Sequence, residues 1–302
     1  MTDYAVRRDG VGKISKKKSW KLFIAVFLLV IFLFAASNGI VKAREWTGDS
    51  QSRWDGVSSF VFALNDDEDY IAVFQKDPRR FVAFRLGSVF GEGASPSEII
   101  KSLSIGSGVV IKNYLAGSGH GNLLEQFEEF KSYTTPVKII FGAYDNADTN
   151  IARLDALRLW WQVKGLRVND TNVVDIRDNY AGNTNSKVMG TNSFAVGREV
   201  RPYVENIKIL SEDIEIRIVN SSGDVAAGNV LESFITNIGG RVTTINGNTE
   251  VLNDCQVIGA RTYTRDYLAK TFSCDINDQA FGEDNGQILT VVIGQEFRES
   301  YL

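Results

Sequence analysis

Three groups of side chains have the types and spacing to do chemistry. Cys255 and Cys274 lie nineteen residues apart, and they are the chain's two cysteines. On the oxidising side of a membrane each has the other as its partner, and closing such a loop would contribute about 3 kcal/mol in the chain-entropy account. The competing reading is a pair of buried thiols. Arg153, Arg158, Lys164 and Arg167 surround the pair Trp160-Trp161. This reads most simply as a helix with one solvated and one core face; the sharper alternative is a groove in which tryptophan stacks on a polymer. The single histidine, His120, sits in Gly117-Ser118-Gly119-His120-Gly121, a solvated loop. Those glycines lack the Gly-Lys-Ser/Thr ending of a phosphate-cradling loop. One histidine and two cysteines also cannot supply a closed structural zinc site of four N/S ligands.

The elements that must position these groups follow from pattern. Val57–Leu64, Tyr70–Gln75 and Phe81–Leu86 read as three strands separated by tight polar turns, an antiparallel meander. Ser95, Pro96 and Glu98 form a helix start over Pro96–Ser104. A helix after Asn122, a strand at Val137–Gly142, an amphipathic helix over Asn150–Val163 and a strand at Val173–Ile176 follow. The Asn/Gly/Ser/Thr-rich run Asn179–Gly197 reads as a boundary. From Asp213 the order becomes strand (Ile214, Ile216, Ile218), helix Val225–Ile238, strand Arg241–Ile245, strand Cys255–Arg261, helix Thr262–Phe272 and strand Gln287–Ile293. That βαββαβ order predicts a ferredoxin-like layer, and the fold class expected for the whole is α+β.

Charge divides the chain sharply. Thirty-three basic and 37 acidic residues give a net −4 over 302 residues, yet residues 1–44 carry nine basic against two acidic ones, a net +7 that leaves −11 for the rest. Between these regimes Leu22 to Val41 holds no charged residue. Twenty helical residues span roughly 30 Å, the hydrocarbon thickness of a bilayer. Trp20 and Lys21 at one end, and Lys42, Arg44 and Trp46 at the other, suit the two interfaces. Seven basic residues precede the apolar segment, so the N-terminus is expected inside and the acidic bulk outside. An acidic exterior without a recognition-helix or zinc-finger pattern argues against nucleic acid as a partner. The expected organisation is a basic cytoplasmic tail (1–21), a transmembrane helix (22–41), a linker (42–56), a first domain (57–178), a connecting segment (179–212) and a second domain (213–302).

The second domain resembles the LytR C-terminal domain over about 85 residues, a normal domain size. The resemblance is carried by EIRIVNSSG (Glu215–Gly223), Val225-Ala226-Ala227-Gly228, Gly240-Arg241-Val242 and ILTVVIGQEF (Ile288–Phe297). The first domain resembles a shortened, degenerate LytR–CpsA–Psr domain through Asp69-Tyr70-Ile71-Ala72-Val73, then Asp77-Pro78, and later Thr149-Asn150 before a Leu/Trp-rich helix. Members of that family are membrane-anchored and transfer polyprenyl-linked glycopolymers to peptidoglycan or protein, using arginines on a pyrophosphate and carboxylates on Mg²⁺. The resemblance implies a metal-binding role for Asp69 and leaves Arg79, Arg80 and Arg85 as displaced clamp candidates. Where the family has Ile-Pro-Arg-Asp, this chain reads Phe84-Arg85-Leu86-Gly87-Ser88, so the arginine is out of register and the aspartate is missing. The expectation is therefore a non-catalytic envelope protein that binds peptidoglycan, an envelope glycopolymer or another envelope protein. The alternatives are a Mg²⁺-dependent glycopolymer transferase and a surface protein with no glycan role.

Ala35-Ala36-Ser37 supplies small residues near the end of the apolar run, as a signal-peptide cleavage site would. The 21-residue basic lead and full spanning length favour a retained anchor. Mass spectrometry of the mature protein is expected to find the sequence upstream of residue 38 intact; a new N-terminus near Asn38 would refute retention.

Overall fold

Phe60, Phe62 and Leu64 alternate with Val61 and Ala63 in β1 (Phe60–Asn65), which opens a six-stranded sheet. The computed structural model describes residues 54–56, 58–65, 68–88, 95–116, 148–180, 193–278 and 288–302, all within one compact unit spanning 47–302. β2 (Asp69–Lys76) and β3 (Arg79–Gly87) complete the expected antiparallel meander. The full sheet runs β5-β4-β1-β2-β3-β6, with β4 (Asn113–Ala116), β5 (Asp148–Thr149) and β6 (Thr171–Asp175) added at its edges. Both faces are covered, which is why Ile71 to Phe74 read as a continuous apolar run. On one face Phe60, Phe62, Phe74 and Phe81 pack on α2 (Arg153–Val163). On the other, Ile71, Val73, Val82 and Phe84 pack on α1 (Pro96–Ser107) and α4 (Ser193–Val204). Between these lies the short α3 (Arg177–Tyr180). The connecting segment 179–212 thus includes a helix whose Val196, Val200 and Val204 complete the second of these cores.

The helix ends follow local chemistry. Ser95 Oγ accepts from Glu98 N at 3.3 Å while Glu98 Oε2 accepts from Ser95 N at 3.0 Å, the expected capping box. α1 stops at Gly108, whose φ of +63° is the left-handed cap that glycine adopts without strain.

The second sheet has the order β10-β9-β11-β7-β8. After α5 (Ile207–Glu212) come β7 (Glu215–Asn220), α6 (Val225–Asn237), β8 (Arg241–Gly247), β9 (Gln256–Ile258), α7 (Tyr263–Phe272), β10 (Asp275–Asn277), β11 (Ile288–Ile293) and α8 (Gln295–Tyr301). The α+β expectation matches these two mixed sheets with their helices. The ferredoxin-like expectation for 213–302 is corrected. Such a sheet sets its second and third strands side by side as a hairpin, whereas here β11 and β7 lie between β8 and β9. The crossover by α6 returns β8 directly beside β7 and parallel to it, with no strand between them. The chain then crosses the ends of β7 and β11 before β9: Asn248 N donates to Asn220 O and Leu252 N to Ser221 O, both at 2.9 Å, and Gln295 N donates to Leu252 O at 2.8 Å. Cys255 and Cys274 stand at disulfide distance with their Cα atoms 4.5 Å apart, tying β9 to the start of β10.

Among the described residues no helix is long and apolar enough to cross a membrane. The predicted span 22–41, the basic tail, most of the linker, His120 with its glycine loop, the helix after Asn122 and the strand at 137–142 lie outside the described residues.

The two sheet layers meet at a joint around Asn237. Asn237 of α6 is buried, and its Nδ2 donates to the Gly108 carbonyl at 2.8 Å. A Cβ on Gly108 would stand 2.6 Å from that same nitrogen, and one on Gly197 of α4 would stand 2.9 Å from it. Asn237→Ala would leave the buried Gly108 carbonyl unpaired and is expected to cost roughly 1–3 kcal/mol. Gly108→Ala adds a steric conflict to left-handed strain of about 1–3 kcal/mol and should cost more. Gly56 is also left-handed, at φ +72°, but a Cβ there meets open space, so Gly56→Ala isolates the backbone penalty. Urea midpoints of the full chain check the ranking; equal midpoints for Asn237→Ala and the parent would remove the joint's energetic role.

Candidate functional site

The richest cluster of charged groups lies where β2 begins and β3 ends. Antiparallel pairing sets Tyr70 opposite Arg85, and the parallel β3–β6 pair sets Arg85 opposite Asp175. Ile176 N then donates to Arg85 O at 3.0 Å, which delivers Arg177 to the same end. Arg85 Nε donates to Glu68 Oε2, and Tyr70 OH donates to the same oxygen at 3.2 Å. Arg177 grips Asp175 through Nε and Nη2, the latter at 2.5 Å, and its Nη1 lies 4.0 Å from Glu68 Oε1. The Arg85 hydrogen bond, opposed by partial burial, holds the Glu68 carboxyl below its ordinary range. Arg177 does the same to Asp175. Two guanidinium groups are thus met by two carboxylates inside one network. Their outer faces remain in water, with side chains 37% and 48% exposed for Arg85 and Arg177.

Asp69 sits beside this network but is buried, and its Oδ1 accepts from Asn65 Nδ2 at 2.6 Å. Arg79 is elsewhere. It pairs with Lys76 at the far end of β3, six residues or roughly 20 Å from Arg85 at strand rise. Arg79 instead reaches toward Gly165 just after α2. Asp69 and Arg85 therefore come together and Arg79 does not join them. The residues that sequence reasoning missed are Glu68, Asp175 and Arg177. Their one signal was Asp175-Ile176-Arg177 at a strand end, which acquires meaning only when β6 lies beside β3.

The candidates on α2 separate to different sides. Trp160 is buried in the first core, with Lys164 Nζ 4.9 Å above its ring. Arg158 donates to the Trp54 carbonyl at 2.9 Å and to Asp155 Oδ1 at 3.2 Å, while buried Asp155 accepts from Trp54 N at 3.0 Å. Arg153 is on the exposed face, and Trp161 is 72% exposed. Trp160 and Trp161 meet edge to face, 6.0 Å between centroids, and do not line a common groove.

A cavity of about 120 Å³ opens between the first sheet and α7, walled in part by Asp55, Ser58, Lys112, Tyr267 and Lys270. Burial, reinforced by the negative charge of Asp55, pushes the Tyr267 phenol up to about 12. None of the residues singled out from sequence lines it, and it falls below the roughly 300–1,000 Å³ of sites that enclose small molecules.

Among the described residues no group of three or more His, Cys, Asp and Glu could hold a metal ion. No family model, curated protein or solved structure matches this chain.

A carboxylate held below its ordinary range in the fold stabilises above its unfolded pKa, and that stability is lost as pH falls through the folded value. Acidifying below the usual glutamate range should therefore destabilise the parent more steeply than Glu68→Gln. Thermal melts of both proteins from about pH 6 to pH 3 check this; superimposable pH profiles would show that the Glu68–Arg85 pair carries no linkage.

Proposed function

We propose that this chain is a membrane-anchored, extracytoplasmic component of cell-envelope assembly that holds wall glycan or a partner protein close to the bilayer without catalysing a transfer. The proposal joins three supports. The basic lead and uncharged run Leu22 to Val41 suit a retained single-pass anchor with its N-terminus inside. The resemblance to the LytR–CpsA–Psr family and its C-terminal domain supplies the envelope context. The observation that carries the non-catalytic reading is the Glu68–Arg85–Arg177–Asp175 network, in which each arginine already has a carboxylate partner. A pyrophosphate would have to displace those pairs, at the cost of leaving Glu68 and Asp175 beside an anion. In the C-terminal half, the crevice beyond the carboxyl ends of the parallel strands, where open α/β sheets take ligands, is crossed by the protein's own segment 248–254.

A second reading has one observation in its favour. Arg85 and Arg177 emerge at the same sheet end as Asp69, so a glycopolymer transferase would use those two arginines rather than Arg79. Among the described residues Asp69 is buried and engaged with Asn65, and no group of three or more carboxylates stands with it that could hold Mg²⁺.

Sedimentation of the full chain in detergent with purified cell walls tests the first reading. Co-sedimentation that survives Arg85→Gln/Arg177→Gln supports holding without transfer. Failure to pellet above a no-wall control counts against glycan binding and favours a protein partner or a surface role without glycan.

A further inference from the structure

The outward arc of α2 combines apolar and basic side chains, of which Leu157 also packs against the first core and Lys164 lies over the Trp160 ring. At 100° per residue, Trp161 lies at the middle of the arc, with Leu154 and Leu157 on either side of it. Both leucines are half-buried, and Trp161 is held edge to face on Trp160 while leaving 72% of itself in water. Arg153 and Lys164 rim the arc on one side and Arg158 on the other, all three exposed. The helix's acidic residue, Asp155, is on the buried side. An apolar, aromatic centre with a basic rim suits a bilayer interface: tryptophan favours the headgroup level, and lysine and arginine meet anionic headgroups.

We infer that this face of α2 docks on the anionic lipid surface of the membrane that holds the chain, a conclusion that rests on the membrane-anchored reading above. The occupant is set by where the chain enters the fold. Trp54, the first described residue, is fastened to this helix through Asp155 and Arg158. Twelve residues, or thirteen Cα-to-Cα steps, separate it from Val41 at the end of the apolar run, a reach of at most about 45 Å. The tether therefore limits how far α2 can lie from the bilayer, and the basic rim of the arc contrasts with the net −11 of the chain beyond residue 44. Docking there would fix the height and tilt of both sheets above the membrane.

The test uses the full chain reconstituted into vesicles of equal parts phosphatidylcholine and phosphatidylglycerol carrying shallow brominated acyl chains. The difference in fluorescence between parent and Trp161→Phe isolates Trp161 from Trp20, Trp46, Trp54 and Trp160. Interfacial residence predicts that bromine quenches this component about twofold, and that the quenching fades in phosphatidylcholine alone, at high salt and in Arg153→Gln/Lys164→Gln. An unquenched Trp161 in the anionic vesicles overturns the inference, as does quenching of Trp161 by soluble wall glycan in place of lipid. Retention after an alkaline carbonate wash reports the anchor separately. A chain that washes off sinks the anchored reading, while the Trp161 signal still decides whether the arc docks.

Discussion

The close approach of α1, α4 and α6 at Asn237 is the constraint from which the rest of the architecture follows. One buried amide spans the gap between the two sheet layers, and it fits because Gly108 and Gly197 present no side chain to it. Neighbouring bonds reinforce the same seam. Asn206 N donates to Ile238 O at 2.9 Å, and Lys101 Nζ reaches Glu299 O at 3.1 Å. The seam makes a unit of two α/β layers that would each expose apolar helix surface alone. Phe234 and Ile238 of the second layer line the same cavity as Phe60 and Val204 of the first.

Charge is handled differently at one end of the first sheet and on the helix that covers one of its faces. At the Glu68 end, Arg85 and Arg177 are each paired with a carboxylate at the strand ends. On α2, by contrast, Arg158 spends part of its donor capacity on the Trp54 carbonyl and Asp155 and still shows a basic face outward. The same residue type is thus a structural clamp and a surface charge at once, because a guanidinium has five donors in a plane and a backbone carbonyl consumes one. The tryptophan pair divides because of the helical period. Trp160 follows the apolar stripe into the core, and Trp161, one residue or 100° further round the helix, cannot.

Patterns of short range were legible in the sequence. The meander needed only alternation and turns, α1 needed Ser95, Pro96 and Glu98, and α6 and α7 needed their apolar spacing and caps. β10 was not legible, because Asp275-Ile276-Asn277 offers one apolar residue and even that is exposed. α4 was hidden behind the polar run that precedes it. The candidate site was half legible: Asp69 and Arg85 were visible as residue types, while Arg177 had no reason to be grouped with them before β6 paired with β3.

By itself the sequence determined the α+β class, the uncharged run with its basic lead, the helix starts and the spacing of the two cysteines, since each depends on residues close together in the chain. Tertiary structure alone decided that β8 lies beside and parallel to β7, that Arg177 joins Arg85 at one strand end, and that the Asn237 amide bridges the two sheet layers. The physical reason is the range of the forces involved. Propensity, capping and amphipathic period act within a few residues, whereas strand order and charge pairing are fixed by which distant surfaces can exclude water together.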